Sequence, residues 1–413
     1  MSLFLLWMES PVTVVVFLWV AGTGYVGMST RISLWVLAPL MLAPLTYYKY
    51  GGFLTAVATG SDPLLHLLIP MGISFYTFQI LAFVIDRRKA GQGPPGAVDY
   101  LNFASFFPQI VAGPIERGRD LLPQVKRLKF CLSRKAVESG LSWVVLGLFF
   151  KLALAENFAL LDEELNSASA NAVKIWAEAG FFACRIYFDF AGYSFIALGL
   201  ARFFGIELTL NFRSPYLCRN LQEFWRSWHV TLSRWFRDYV YIPLGGSRTK
   251  NRWLTVMAVF GVSGLWHGAG WNFVVWGLLH GAGVLACVLL GKRQLPKFIA
   301  WMLTMGFVLL TWLFFKESDF WVTVAKLQLL ANPEAYQLNL AGFVGMFDSA
   351  KSMILMAMML GLTSLVFAGE WWSLRRSGMP YDLLLNRWIQ LGLITGIFFL
   401  APTSESSFIY FNF

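Results

Sequence analysis

Apolar residues run in long blocks along this chain, and the polar residues gather between them. Runs at 11–28, 64–85, 141–154, 181–204, 253–291, 298–315, 353–368 and 389–402 hold few charges. A helix that crosses a bilayer needs about 20 mainly apolar residues. A transmembrane barrel would instead show short segments of alternating polarity, and these runs do not alternate. The pattern predicts an all-α integral membrane protein with roughly ten membrane-embedded helices.

Two stretches break the pattern. Residues 100–124, "YLNFASFFPQIVAGPIERGRDLLPQ", are apolar but interrupted by Pro108, Gly113 and Pro114. Irregular backbone at membrane depth survives only where protein or a water-filled cavity covers it, so this stretch reads as re-entrant or interfacial. Residues 211–252 are too charged to span. Phe224, Trp228, Leu232, Trp235, Phe236 and Tyr239 recur at helical spacing there. That predicts one amphipathic basic-aromatic helix at the interface. It reads either as a surface anchor or as the floor of a site.

Composition agrees: 57% of residues are hydrophobic and 14% charged, against about 25% charged in an ordinary soluble domain. The net charge of +10 gathers at 87–89, 117–135, 213–252, 292–297 and 375–376. By the positive-inside rule these loops face the cytoplasm, and the acidic residues at 156–164 and 317–319 face the other side. The aromatics lie in or beside the spans, so no nucleic-acid groove is expected. The start of the chain lacks a basic n-region, and its first apolar run reads as a retained span. Cys131, Cys184, Cys218 and Cys287 show no CxxC spacing, and no metal site is expected.

Candidate chemistry rests on histidines inside apolar sequence, where an ionisable group is costly and is a functional hypothesis by default. His267 sits in "GLWHGAGW", flanked by glycines that either pack helices or leave room for a substrate. A neutral imidazole there would be a general base. His229 sits in "FWRSWH". His280 lies 13 residues beyond His267, on a different face of a continuous helix, and reads as structural. His66 begins a span. Asp189, four residues after Arg185, reads as a buried Arg–Asp pair. No Walker motif, GxSxG or HExxH occurs.

The run "FWRSWHVTLSRWFRDYVYIPLGGSR" followed by "GLWHGAGWNFVVWGLLHG" resembles the signature of the membrane-bound O-acyltransferase (MBOAT) family, bacterial AlgI-like branch. The resemblance is firm over about residues 64–291 of a single domain, 1–413. It implies a ring of ten or eleven transmembrane helices around a central funnel and tunnel. It also implies O-acetylation of an exported or envelope polysaccharide of the alginate, cellulose or peptidoglycan type, with acetyl-CoA or another acyl thioester as donor. A periplasmic SGNH-type acetyltransferase partner and a bacterial inner-membrane location are implied too. The family's catalytic histidine falls on His267 and its second histidine on His229. Trp266, Asn272, Trp228, Arg226 and Arg237 become substrate- or tunnel-lining candidates. Asp238 is expected to anchor the basic helix. D-alanyl transfer to teichoic acid and non-enzymatic transport remain open.

Overall fold

The computed structural model describes residues 2–60, 68–127, 133–165, 171–291, 295–336, 344, 347, 349–403, 408 and 409. His66 and Cys131 fall outside them. Every regular element among these residues is helical. In chain order the helices that matter here are α1 (Pro11–Ser29), α2 (Leu34–Leu45), α3 (Ile73–Lys89), α4 (Arg134–Leu165), α5 (Ala172–Phe203), α6 (Leu221–Ser227), α7 (Val230–Phe236), α8 (Arg252–His267), α9 (Trp271–Leu290), α10 (Lys297–Lys316), α11 (Phe320–Ala331), α12 (Ala350–Ser377) and α13 (Arg387–Leu400).

Six of the described helices, α1, α4, α5, α9, α10 and α12, are long and apolar enough to cross a bilayer. The others that contribute to the bundle are shorter, which is why the apolar runs suggested a larger number. The single run at 253–291 is two helices, broken at Gly268–Gly270. The outer faces are what lipid requires: Trp35 is 91% exposed and Phe398 82% exposed.

α5, 32 residues long, sits against α4, α10 and α11. It meets α4 at two glycine pairs seven residues apart. A Cβ on Gly147 would lie 2.6 Å from the Gly192 carbonyl, and one on Gly199 2.5 Å from the Gly140 carbonyl. Small residues at such crossings let backbones approach where no hydrophobic effect drives helices together. The Asp189 carboxylate of α5 does not pair with Arg185 as the spacing suggested. Lys151 of α4 reaches it at 2.9 Å, and the Ile409 N–H donates to it at 2.8 Å.

The irregular stretch behind residue 104 folds into the protein. Ile110, Ala112 and Ile115 are buried, so its backbone is shielded as the re-entrant reading requires. Gly72 has φ +73, and a Cβ there would strike the Ile110 carbonyl at 2.5 Å. The stretch is thereby held against the start of α3.

Candidate active site

The expected single amphipathic helix is broken in two at His229. This residue has φ +42, one of two non-glycine residues with positive φ among those described. Such a conformation costs roughly 1–2 kcal/mol for a residue with a Cβ and persists only when the surroundings enforce it. Here Asn211 enforces it. Its carbonyl accepts from the Val230 N–H at 3.0 Å. Its Oδ1 accepts from the Thr231 N–H at 3.1 Å and the Thr231 hydroxyl at 2.7 Å. The Ile115 N–H donates to the Thr231 hydroxyl at 3.0 Å, tying in the irregular stretch. The turn drives His229 into the centre, fully buried. Its ring stacks on Phe75 and meets Phe190 and Trp266 edge-on. Neither ring nitrogen has a hydrogen-bond partner among the described residues.

His267 is the last residue of α8 and is 1% exposed. A helix end leaves its final carbonyls without intrahelical donors. Lys49 and Tyr50, from a π-helical turn after α2, supply them. The Lys49 ammonium donates to the Trp266 carbonyl at 2.7 Å and the His267 carbonyl at 3.0 Å, and the Tyr50 hydroxyl to the Leu265 carbonyl at 2.8 Å. A cation at the C-terminal end also suits the helix dipole. The imidazole is enclosed by Trp266, Trp276 and Phe315, with ring centroids 4.9, 5.0 and 5.3 Å away. Trp266 therefore lies against both His229 and His267.

Gly264, Gly268 and Gly277 serve packing and leave no space for a substrate. A Cβ on Gly264 would sit 2.1 Å from the Phe273 carbonyl, one on Gly277 2.2 Å from the Phe260 carbonyl, and one on Gly268 within the Phe273 ring. The space lies at the two ends of the α8–α9 hairpin instead. At one end a cavity of about 400 Å³ is lined by Arg226, Arg237, Val256, Phe260, Ser263 and Val288. Ser263 stands one helical turn before His267. At the other end a cavity of about 420 Å³ is lined by Lys49, Asp162, Arg185, Asn272, Lys316 and Glu317, among others. A smaller one of about 160 Å³, which includes Trp266, shares Lys49 and Ile69 with it. The expected open tunnel is thus two separate cavities, with the His267 ring packed between them and lining neither.

Of the other candidates, Arg226 and Arg237 line the first cavity, and Asn272 lines the second, whose described lining mixes Lys49, Arg185 and Lys316 with Asp162 and Glu317. Trp228 is 1% exposed and packs against Phe212, Phe224 and Trp312, inside the aromatic core. Asp238 accepts from Arg117 at 3.0 Å and from Arg237 at 2.7 Å, joining the irregular stretch to the basic segment. His280 is fully buried and fully used. Trp225 Nε1–H, which can only donate, reaches its Nδ1 at 3.3 Å. The proton is therefore on Nε2, which donates to the Thr311 hydroxyl at 3.0 Å, and that hydroxyl donates to the Val308 carbonyl. Lys49 was not anticipated. Its only sequence signal is a lone lysine, in "TYYKYGGF", just past an apolar run.

The described helices thus enclose His267 between a cavity lined by Arg226 and Arg237 and a second one of mixed charge. The chain belongs to the membrane-bound O-acyltransferase family, whose model matches residues 73–318, and it is an O-acyltransferase. It is 32% identical to a peptidoglycan O-acetyltransferase of Helicobacter pylori, over 92% of this chain and 82% of that protein. It is 35% identical to a probable alginate O-acetylase AlgI of Azotobacter vinelandii, over 67% of this chain and 58% of that protein. A teichoic acid D-alanyltransferase of Streptococcus thermophilus is 29% identical over 55% of this chain and 58% of that protein.

Proposed function

We propose that the protein moves an acetyl group from a cytoplasmic thioester to a hydroxyl on the outer side of a bacterial inner membrane, for O-acetylation of an envelope or exported polysaccharide. The observation that carries this is the position of His267 at the end of α8, with the cavity of Arg226 and Arg237 before it and a second cavity of mixed charge after it. Arg226 and Arg237 would receive the phosphates of a donor such as acetyl-CoA, which guanidinium forks suit. The acyl arm would run along α8 toward Ser263.

The acceptor hydroxyl enters from the other cavity. His267 takes its proton as the oxygen attacks the acetyl carbonyl. The new O–C bond forms, the C–S bond breaks, and the proton passes to the leaving thiolate. The enclosing rings exclude water and so favour transfer over hydrolysis. His229, buried with both nitrogens unpartnered, is placed to hold a polar group of the reacting pair, since such a group is costly to leave unsatisfied. The acceptor hydroxyl belongs either to the polymer itself or to a periplasmic SGNH-type acetyltransferase that then hands the acetyl group on to the polymer. The acetyl reading is preferred over D-alanyl transfer because the O-acetyltransferase relatives align over more of the chain and at higher identity.

The test is His267→Ala, checked for normal accumulation in the membrane. The O-acetyl content of exported polymers should drop to background while polymer export continues. Unchanged acetylation would remove His267 from the chemistry, and failed export would favour transport.

A further inference from the structure

Two non-glycine residues among those described have positive φ, His229 at +42 and Ser214 at +50. They stand on the two sides of one short backbone pairing. The Val230 N–H donates to the Asn211 carbonyl at 3.0 Å, and the Arg213 N–H donates to the Ser227 carbonyl at 2.9 Å. Residues 211–213 are thus the template against which the His229 turn is laid. A left-handed residue with a Cβ persists only where its surroundings over-determine it, so the template itself has to be held.

Tyr381, which follows α12 and is fully buried, holds it from behind. Its hydroxyl donates to the Phe212 carbonyl at 3.2 Å and accepts from the Ser214 N–H at 3.4 Å. One oxygen therefore grips the backbone on both sides of Arg213. The Tyr381 ring is wedged against Phe195 of α5 and Trp143 of α4, with centroids 4.7 and 6.1 Å away.

Behind Tyr381 lies a carboxyl that the transfer scheme does not use. Glu370, inside α12, is 1% exposed, and among the described residues no cation pairs with it. An ionisable group within a spanning helix is costly and is a functional hypothesis by default. The Tyr187 hydroxyl of α5 donates to Glu370 at 2.7 Å, and the Tyr187 and Tyr381 oxygens are 3.1 Å apart. These side chains make one line of oxygens from α12, through α5, to the Phe212 carbonyl. A buried hydroxyl is costly to leave unsatisfied, so Glu370 sets where Tyr187 sits, and Tyr187 sets Tyr381.

We propose that Tyr381 and Glu370 are positioning residues for His229: they hold the 211–214 backbone in the register that keeps the imidazole turned into the centre. The inference rests on the use of His229 in the acyl-transfer reading above. Neither residue lines the two cavities on either side of His267, so both act on turnover through the turn and not on donor binding.

Tyr381→Phe keeps the ring and removes only the gripping oxygen. With the protein in lipid nanodiscs, amide hydrogen exchange of residues 227–231 should speed up at least about tenfold, the worth of one lost hydrogen bond. The amides of α5 should exchange at the wild-type rate. Glu370→Leu should do the same. Glu370→Gln, whose side-chain carbonyl still accepts from Tyr187, should restore wild-type exchange. With acetyl-CoA as donor in inside-out membrane vesicles, Tyr381→Phe and Glu370→Leu should lower kcat at least about tenfold and leave KM within about threefold. Glu370→Gln should match wild type in both. Unchanged exchange in Tyr381→Phe overturns the proposal. So do failure of Glu370→Gln to rescue and a loss carried by KM. Faster exchange with full kcat overturns it too, where His229→Ala abolishes transfer. If His229→Ala transfers normally, the acyl-transfer role of His229 fails, and the exchange result alone still decides whether these residues hold the turn.

Discussion

Three buried histidines with similar sequence surroundings have different environments. His280 spends both nitrogens on Trp225 and Thr311, whereas both nitrogens of His229 are unpartnered among the described residues. Replacing His280 by Leu strands the Trp225 donor and takes away the N–H that the Thr311 hydroxyl accepts. The expected cost is about 1–3 kcal/mol of stability, read as a lower melting temperature in detergent. Acetyl transfer per folded molecule should stay within about threefold, as for a site away from the chemistry. An activity loss as deep as that of His267→Ala would contradict this. His267 was legible because it sits in a dense motif. Lys49 was not, because its meaning depends on carbonyls more than 200 positions away.

At the scale of elements, apolar periodicity showed where helices lie but not where they stop. The aromatic stripe from Phe224 to Tyr239 continues unbroken through His229, although the backbone turns there. What breaks it is the hydrogen bonding of Asn211 and Thr231, residues whose tertiary partners carry no local signal. The glycines of α8 and α9 were visible, but their use was not. Gly264→Ala sets a methyl 2.1 Å from a backbone carbonyl that cannot move without shifting α9. Overpacking of this kind costs about 1–3 kcal/mol, and it also displaces His267, so both melting temperature and acetyl transfer should fall. Gly306→Ala, on α10 with nothing within 4 Å, should be neutral or slightly stabilising. Equal effects of the two substitutions would show that the crossing is looser than its geometry.

For the whole molecule, the basic loops of the sequence predict which end faces the cytoplasm. Orientation can be measured directly. A cysteine at Lys250 should react with a membrane-impermeant maleimide only after the inner membrane is opened. One at Glu334 should react in cells whose inner membrane is intact. Both positions are exposed. The reverse pattern would invert the direction of transfer. The helix count was less legible, because short helices such as α3, α8 and α13 complete the bundle without meeting the length of a full span.

The 16 residues of α8 set a distance of about 24 Å between its basic start and His267, at 1.5 Å per residue. On the acyl-transfer reading that helix acts as a ruler. A donor whose charged head stays at the Arg252 end of the helix reaches the imidazole only if its acyl carbon hangs on a long, thin tether. Short activated acetates, however reactive, fall short, so the fold sorts donors by reach before it sorts them by affinity.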